Sequence, residues 1–155
     1  MNLFGKFESK EYVLLIHVFS EFAHLRKLVS EFPWASQDDW IYRALLEATL
    51  IKARSVGDFF LESSNRKTDV KASQFLSDWQ VDPELFQDLN ELVNKQVAHI
   101  TEQRFINGDE SEAETGENIL RLLNLVIDEI DRFENAFKIH DFNKWEELSN
   151  ETKLY

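Results

Sequence analysis

The apolar residues of this chain recur at intervals of three and four residues along four long stretches. This spacing places them on one side of an α-helix, whereas a half-buried strand would show strict alternation. The stretches run from about Ser9 to Phe32, from Asp39 to Leu61, from Asp82 to Gln103 and from Gly116 to Lys138. Since almost no segment alternates with a period of two, we predict an all-α fold.

Four helices joined by short connections are typical of an antiparallel bundle, because sequential helices then pack as neighbours. The tail, residues 139–155, is predicted to add a short helix around Lys144, Trp145 and Leu148. The predicted fold class is therefore an antiparallel four- to five-helix up-and-down bundle. A chain of 155 residues suits one domain, so residues 1–155 are expected to form a single domain with a core from about residue 9 to residue 138.

The second and fourth predicted helices differ in how their apolar residues are distributed. The second is apolar around almost its whole circumference, which indicates a central, largely buried position. Its apolar residues are Trp40, Ala44, Leu45, Ala48, Ile51, Ala53, Phe59 and Phe60. The fourth has a single stripe with alternating steps of four and three, which must pack on another helix. That stripe consists of Ile119, Leu123, Val126, Ile130, Phe133 and Phe137.

Acidic residues exceed basic residues by a wide margin. The chain has 29 Asp and Glu against 17 Lys and Arg, which gives a net charge of -12. This average charge repels phosphate backbones and acidic membrane surfaces, so we expect neither general nucleic-acid coating nor a membrane partner. A cleft that binds RNA would have to be assembled locally by folding.

Cysteine is absent and glycine is scarce. Without cysteine the chain can hold no disulfide and no thiolate metal site, and without a glycine-rich loop it has no phosphate cradle, so no cofactor is expected. The first residues lack the pattern of a signal peptide, and no apolar run reaches the roughly 20 residues that cross a bilayer. We therefore expect a cytoplasmic protein.

The third predicted helix contains a polar amide and an imidazole among its apolar residues. On a helical wheel, Gln96 falls inside the apolar arc and His99 on its rim. The arc consists of Leu85, Leu89, Leu92, Val93 and Ile100. An imidazole titrates near neutral pH, so His99 is a candidate general acid or base, or else a packed histidine that is only hydrogen-bonded. Gln96 would need hydrogen-bond partners if it is buried.

The string LVNKQVAHIT at residues 92–101, preceded by the helix at residues 47–60, resembles the HEPN superfamily, in particular its uncharacterised, abortive-infection-like branch. The resemblance implies an all-helical bundle, often a homodimer, that acts as a metal-independent ribonuclease in toxin–antitoxin or phage-defence systems, with an antitoxin protein as a partner. The family motif is an arginine followed after four to six residues by a histidine. His99 matches that histidine. The positions where the motif arginine would stand hold Leu92, Val93 and Asn94 instead.

The second predicted helix offers a replacement for the missing cation. Arg43, Glu47, Arg54 and Asp58 lie on one side of it, with Arg54 and Asp58 four residues apart. We hypothesise that this side faces His99, within one subunit or across a dimer, so that Arg54 binds a phosphate and His99 transfers a proton. Substrate contacts would come from Arg43, Asn94, Lys95 and Gln96, with Glu47 and Asp58 as structural polar residues. Alternatively, the four charges form a salt-bridge ladder that holds two helices in register.

The first predicted helix carries His17, Glu21 and His24 on one face, and these residue types can bind zinc. The face is polar and no fourth ligand stands nearby, so a solvated charged face accounts for the pattern better than a metal site does. We therefore predict no metal site.

Two functions remain open from the sequence. The first is an RNA-contacting or RNA-cleaving bundle whose enzymatic step is a metal-independent endoribonuclease reaction, as the resemblance implies. The second is a non-catalytic module for protein interaction or dimerisation. The excess of acidic residues favours the second, since an acidic body suits a basic protein partner better than RNA.

Overall fold

The structure is a computed structural model that describes residues 10–32, 40–61, 69–94 and 116–152. These ranges contain five α-helices and one short 3₁₀ turn. The helices are α1 (Lys10–Glu31), α2 (Trp40–Phe60), α3 (Pro83–Val93), α4 (Gly116–His140) and α5 (Phe142–Thr152), and the turn is Ala72–Gln74. No residue within the described ranges forms a strand, so the prediction of an all-α fold is confirmed.

The helices begin and end close to their predicted bounds. α1, α2 and α4 agree with the prediction to within two residues at each end. α3 begins as its capping signal predicts, because Pro83 occupies its first position and the Asp82 carboxylate accepts a hydrogen bond from the Glu84 backbone N–H at 3.0 Å. The predicted continuation of this helix to Gln103 lies outside the described residues.

Neighbouring helices contact each other in opposite order along the chain. Phe32, just after α1, meets Tyr42 near the start of α2, whereas Phe22 in the middle of α1 meets Phe60 at the end of α2. α1 and α2 are therefore antiparallel. The same reversal relates α1 to α4 and α2 to α3, through the pairs Phe19–Phe137, Phe22–Phe133, Phe60–Phe86 and Arg54–Asn94.

The core is built around aromatic rings, and Phe133 of α4 lies at its centre. This side chain is 0% exposed. Five rings surround it with centroids 5.1 to 6.2 Å away, namely Phe22, Phe59, Phe60, Trp79 and Phe137. Four of the five contacts are edge-to-face, the arrangement that the ring quadrupoles favour. One ring on α4 thus ties together α1, α2 and the segment that follows the 3₁₀ turn.

α5 packs on α1 and α4, and this confirms the short helix predicted in the tail. The Asp141 carboxylate accepts a hydrogen bond from the Lys144 backbone N–H at 3.0 Å and so caps the start of α5. The Lys144 side chain in turn donates to Glu11 of α1 at 2.9 Å. Burial, together with the negative charges of Glu147 and Glu151 on α5, raises the pKa of the Tyr12 phenol on α1.

One side of α2 remains uncovered, contrary to the prediction that this helix is largely buried. α2 packs on α1, α3 and α4, but the side that carries Ala44, Ala48, Ile51 and Ser55 faces solvent, and Ile51 is 54% exposed. We call these four residues the outer face of α2. The prediction is wrong for this side because an apolar circumference does not reveal on which sides a helix has neighbours.

Arg26 links α1 to α4 through two carboxylates. Its guanidinium donates to both oxygens of Glu134 at 2.9 Å each and also to Asp131. Burial of Arg26 disfavours its charged form, but the hydrogen bonds that it donates to Glu134 and Asp131 outweigh that effect and raise its pKa above the ordinary value. The guanidinium therefore stays charged at every ordinary pH.

Replacing Arg26 by alanine is expected to lower the free energy of unfolding by about 1 kcal/mol, since the lost ion pairs are only half-buried and partly screened by solvent. Urea denaturation measures the change, with Lys27→Ala at the exposed neighbouring position as the control. The cost should shrink in concentrated salt. An equal loss in both variants would show that the link between α1 and α4 contributes nothing specific.

Candidate functional site

Two of the predicted site residues meet where α2 and α3 pack together. Arg54 Nη1 donates a hydrogen bond to the Asn94 side-chain oxygen at 3.0 Å. The two residues are 40 positions apart in the chain, and both side chains are half-buried. The contact therefore lies between the core and the solvent, at the seam between the two helices.

The local sequence explains why these two side chains point toward each other. Ala53 and Val56, on either side of Arg54, are buried in the core and fix the rotation of α2. Leu92 and Val93 do the same for the end of α3, directly before Asn94. The Asn94 backbone N–H donates to the carbonyl oxygens of the last turn of α3, which holds this residue in helical geometry.

The pair of Arg54 and Asn94 can bind an anion but cannot transfer a proton by itself. A guanidinium has five N–H donors in a planar fork, and only one of its nitrogens is used in the contact with Asn94. The fork matches a carboxylate or a phosphate, and the contact with Asn94 restrains its orientation. A guanidinium stays protonated and an amide does not titrate near neutral pH, so a general acid or base would have to come from another residue.

The other predicted site residues fall into two groups. Lys95, Gln96 and His99 lie outside the described residues, so a position of His99 opposite Arg54 stays a prediction. The charged side of α2 includes the half-buried Glu47 and the exposed Asp58. Arg43 belongs to α2 as predicted, but its side chain lies outside the described part of the structure.

A cavity of about 430 Å³ lies between α1 and α2, and sequence reasoning missed it. Its walls combine apolar and acidic side chains with one imidazole. The lining residues are Leu14, His17, Val18, Glu21, Phe22, Ser55, Val56, Asp58, Phe59, Asp69 and Val70. The three carboxylates make the lining unfavourable for a phosphate. No sequence signal would have shown this cavity, since it depends on the distance between two helices.

The candidate zinc ligands on α1 do not converge. Glu21 accepts a hydrogen bond from Lys52 of α2, an ion pair that engages its carboxylate. His17 lines the cavity, while His24 is exposed about two turns further along α1. Across the described residues, no group of three or more His, Asp or Glu side chains is arranged to hold a metal ion.

A second charged cluster holds the segment before α3 against α4. Glu129 is buried and accepts two hydrogen bonds from Arg132, whose guanidinium lies 3.9 Å above the Trp79 ring. Arg132 also donates to the Gln80 carbonyl oxygen. The hydrogen bond with Glu129 raises the pKa of Arg132 more than burial lowers it. The side chains of Glu129 and Arg132 thereby hold the segment between the 3₁₀ turn and α3, which contains Trp79 and which we call the Trp79 segment.

Among the described helices, none combines the length and the apolar content that a membrane span requires.

The comparisons with known proteins add nothing to this geometry. Protein-family models, curated proteins and solved structures were compared with the chain, and none of them matches it.

Proposed function

We propose that this chain is a non-catalytic protein-interaction module. The observation that carries the proposal is the exposure of large apolar side chains on a strongly acidic body. Ile51 on α2 is 54% exposed, and at the junction of α4 and α5 Ile139 is 87% and Phe142 53% exposed. Water solvates such groups poorly, so a partner chain that covers them lowers the free energy of the complex.

The charge of the chain supports a protein partner over a nucleic acid. A net charge of -12 repels RNA and attracts a basic protein surface. The reversed order of contacts between α1 and α2, between α2 and α3 and between α1 and α4 supports an antiparallel up-and-down bundle. A bundle of the HEPN type is the fold in this proposal, as the sequence resemblance implies.

A second candidate function is RNA contact, or RNA cleavage in a toxin–antitoxin or phage-defence system. The observation that favours it is the hydrogen bond between Arg54 and Asn94, because it joins two predicted site residues from separate helices. In this candidate Arg54 binds a phosphate and His99 transfers the proton during attack of a 2′-hydroxyl, with Lys95 and Gln96 as further contacts.

One set of binding measurements separates the two functions. A tagged form of the chain is recovered from its own cells, its protein partner is identified, and the complex is rebuilt from purified components. We expect Ile139→Asp or Ile51→Asp to weaken the rebuilt complex by at least roughly tenfold, because each puts a charge into an apolar contact. Asn143→Asp adds the same charge at an exposed polar position close to Phe142 and should leave binding unchanged.

Labelled single-stranded RNA tests the second candidate in the same protein. We expect no binding at about 50 mM or about 200 mM salt, for the wild type and for Arg54→Ala alike. RNA binding that Arg54→Ala abolishes and Lys27→Ala preserves would contradict the proposal and favour the second candidate. A chain that stays monomeric, recovers no partner and binds no RNA would contradict both.

A further inference from the structure

The outer face of α2 has the spacing of a helix-packing surface. Ala44, Ala48, Ile51 and Ser55 follow each other in steps of four, three and four residues, which gives one straight stripe along the helix. All four are exposed, and no described helix covers them. A stripe of this kind, with one large apolar residue between the small side chains of Ala48 and Ser55, has the form of a contact surface for another helix.

Charged residues run along one flank of this face in alternating sign. Glu47 lies four residues before Ile51 and Arg54 three residues after it. Further out, an arginine stands at position 43 and Asp58 lies toward the end of the helix. The order of charges along the flank is thus positive, negative, positive and negative, with its midpoint beside Ile51.

This order of charges makes the flank complementary to itself in one orientation. When two copies of α2 lie antiparallel with Ile51 at the centre, Glu47 of each copy falls opposite Arg54 of the other. The same pairing sets position 43 opposite Asp58. When the two copies are parallel about a two-fold axis, their charged flanks lie on opposite sides of the contact, so Glu47 of one copy cannot pair with Arg54 of the other. The flank therefore favours an antiparallel second copy.

We propose that the outer face of α2 binds the same face of a second copy of this chain, antiparallel and related by a two-fold axis beside Ile51. The inference rests on the proposed function, since it names the partner chain for one of the exposed apolar surfaces. The small side chains of Ala44 and Ala48 allow the helices to approach closely. Arg54 keeps its bond to Asn94, because its other N–H donors can bind Glu47 of the second copy.

The size of this surface predicts a reversible dimer. A helix of 21 residues is about 30 Å long, and one pair of such helices buries less than the roughly 800 Å² per partner of a standard stable complex. Association should therefore depend on protein concentration, and salt should weaken it because charged pairs lie at its edge.

Analytical ultracentrifugation over a wide concentration range tests the surface. The wild type is expected to pass from monomer to dimer, and Ile51→Glu should raise the dissociation constant by at least roughly tenfold. Asn143→Glu, which adds the same charge to an exposed position on α5, should leave the dissociation constant unchanged. A wild type that is monomeric at every concentration, or an equal effect of the two substitutions, would overturn the inference.

Charge exchange tests the antiparallel orientation. Glu47→Arg alone and Arg54→Glu alone each place like charges opposite one another and should weaken the dimer. The double variant restores opposite charges at both contacts and should recover most of the wild-type association. Thermal unfolding of each variant shows whether the fold is intact. A double variant that is weaker than both single variants, with its fold intact, would overturn the orientation.

Failure of this inference is distinguishable from failure of the proposed function. If the wild type is monomeric but a different protein binds in a manner that Ile139→Asp disrupts, the second copy is wrong as the partner and the interaction module stands. If neither the second copy nor any other chain binds, both are wrong.

Discussion

Replacing Phe133 by alanine should lower the free energy of unfolding by about 3 to 5 kcal/mol, the largest effect that we expect for any single substitution in this chain. Phe133 is 0% exposed and contacts rings from α1, α2 and the Trp79 segment. Alanine removes the ring from the point where these elements meet. The surrounding rings are held by their own helices, so they can only partly fill the cavity that remains.

Urea denaturation followed by circular dichroism measures this change. Phe142→Ala removes the same ring from a position that is 53% exposed, and it should cost less than about 1 kcal/mol. Phe133→Leu, which retains most of the apolar volume, should fall between the two. If Phe133→Ala costs no more than Phe142→Ala, Phe133 is not the centre of the core.

Replacing Gly57 by valine is expected to lower the free energy of unfolding by about 2 to 3 kcal/mol. A Cβ atom at this position of α2 would lie 2.8 Å from Cδ1 of Phe86 and 3.2 Å from its Cε1. Phe86 is fully buried, so its ring cannot swing into solvent to make room. Valine and glycine differ by only about half a kcal/mol or less in helix propensity, so the steric conflict between α2 and α3 decides the result.

A double-mutant cycle separates this conflict from a general effect on the helix. In a Phe86→Ala background the ring is absent, so Gly57→Val should cost much less than in the wild type. Asn124→Val introduces the same side chain at an exposed position of α4 and should cost less than about 1 kcal/mol. Equal costs of Gly57→Val with and without the Phe86 ring would contradict the close approach of α2 and α3.

The sequence predicted helices best where the apolar pattern had a single direction. All six residues of the predicted stripe on α4 are buried, because α4 has neighbours along one side and its pattern says which side that is. The apolar residues of α2 are spread around almost its whole circumference, so they do not mark one buried side. The pattern therefore could not show that Ala48 and Ile51 face outward while Ala53 and Leu50 face the core.

Short elements contributed core residues that periodicity could not identify. Phe86 is fully buried although it lies outside the predicted apolar arc of α3, whereas Leu85 within the arc is only half-buried. Phe75, next to the 3₁₀ turn, and Leu148 in α5 are buried as well. The 3₁₀ turn has three residues and α3 and α5 have eleven each in the structure. So few positions define a face poorly, and their burial depends on where the longer helices leave space.

The candidate site shows the same division between residue type and position. Arg54 and Asn94 were predicted as site residues from their chemistry, and in the structure Arg54 Nη1 lies 3.0 Å from the Asn94 side-chain oxygen. The sequence also placed Glu21 in a ligand-like series on α1, while the structure pairs this carboxylate with Lys52 of α2. Residue type can be read from a string of letters, but the partner of a charged side chain depends on how two helices are rotated against each other.

The packing of α5 on α1 bears on how the chain folds during synthesis. Lys144 and Glu11 bond although 133 positions separate them, and such distant contacts form slowly because a long loop must first close. A nascent chain would carry the apolar side of α1 without its α5 cover until the ribosome has made that helix. Exposure of this kind is what chaperones bind, so α1 depends for its protection on α5, which is made later.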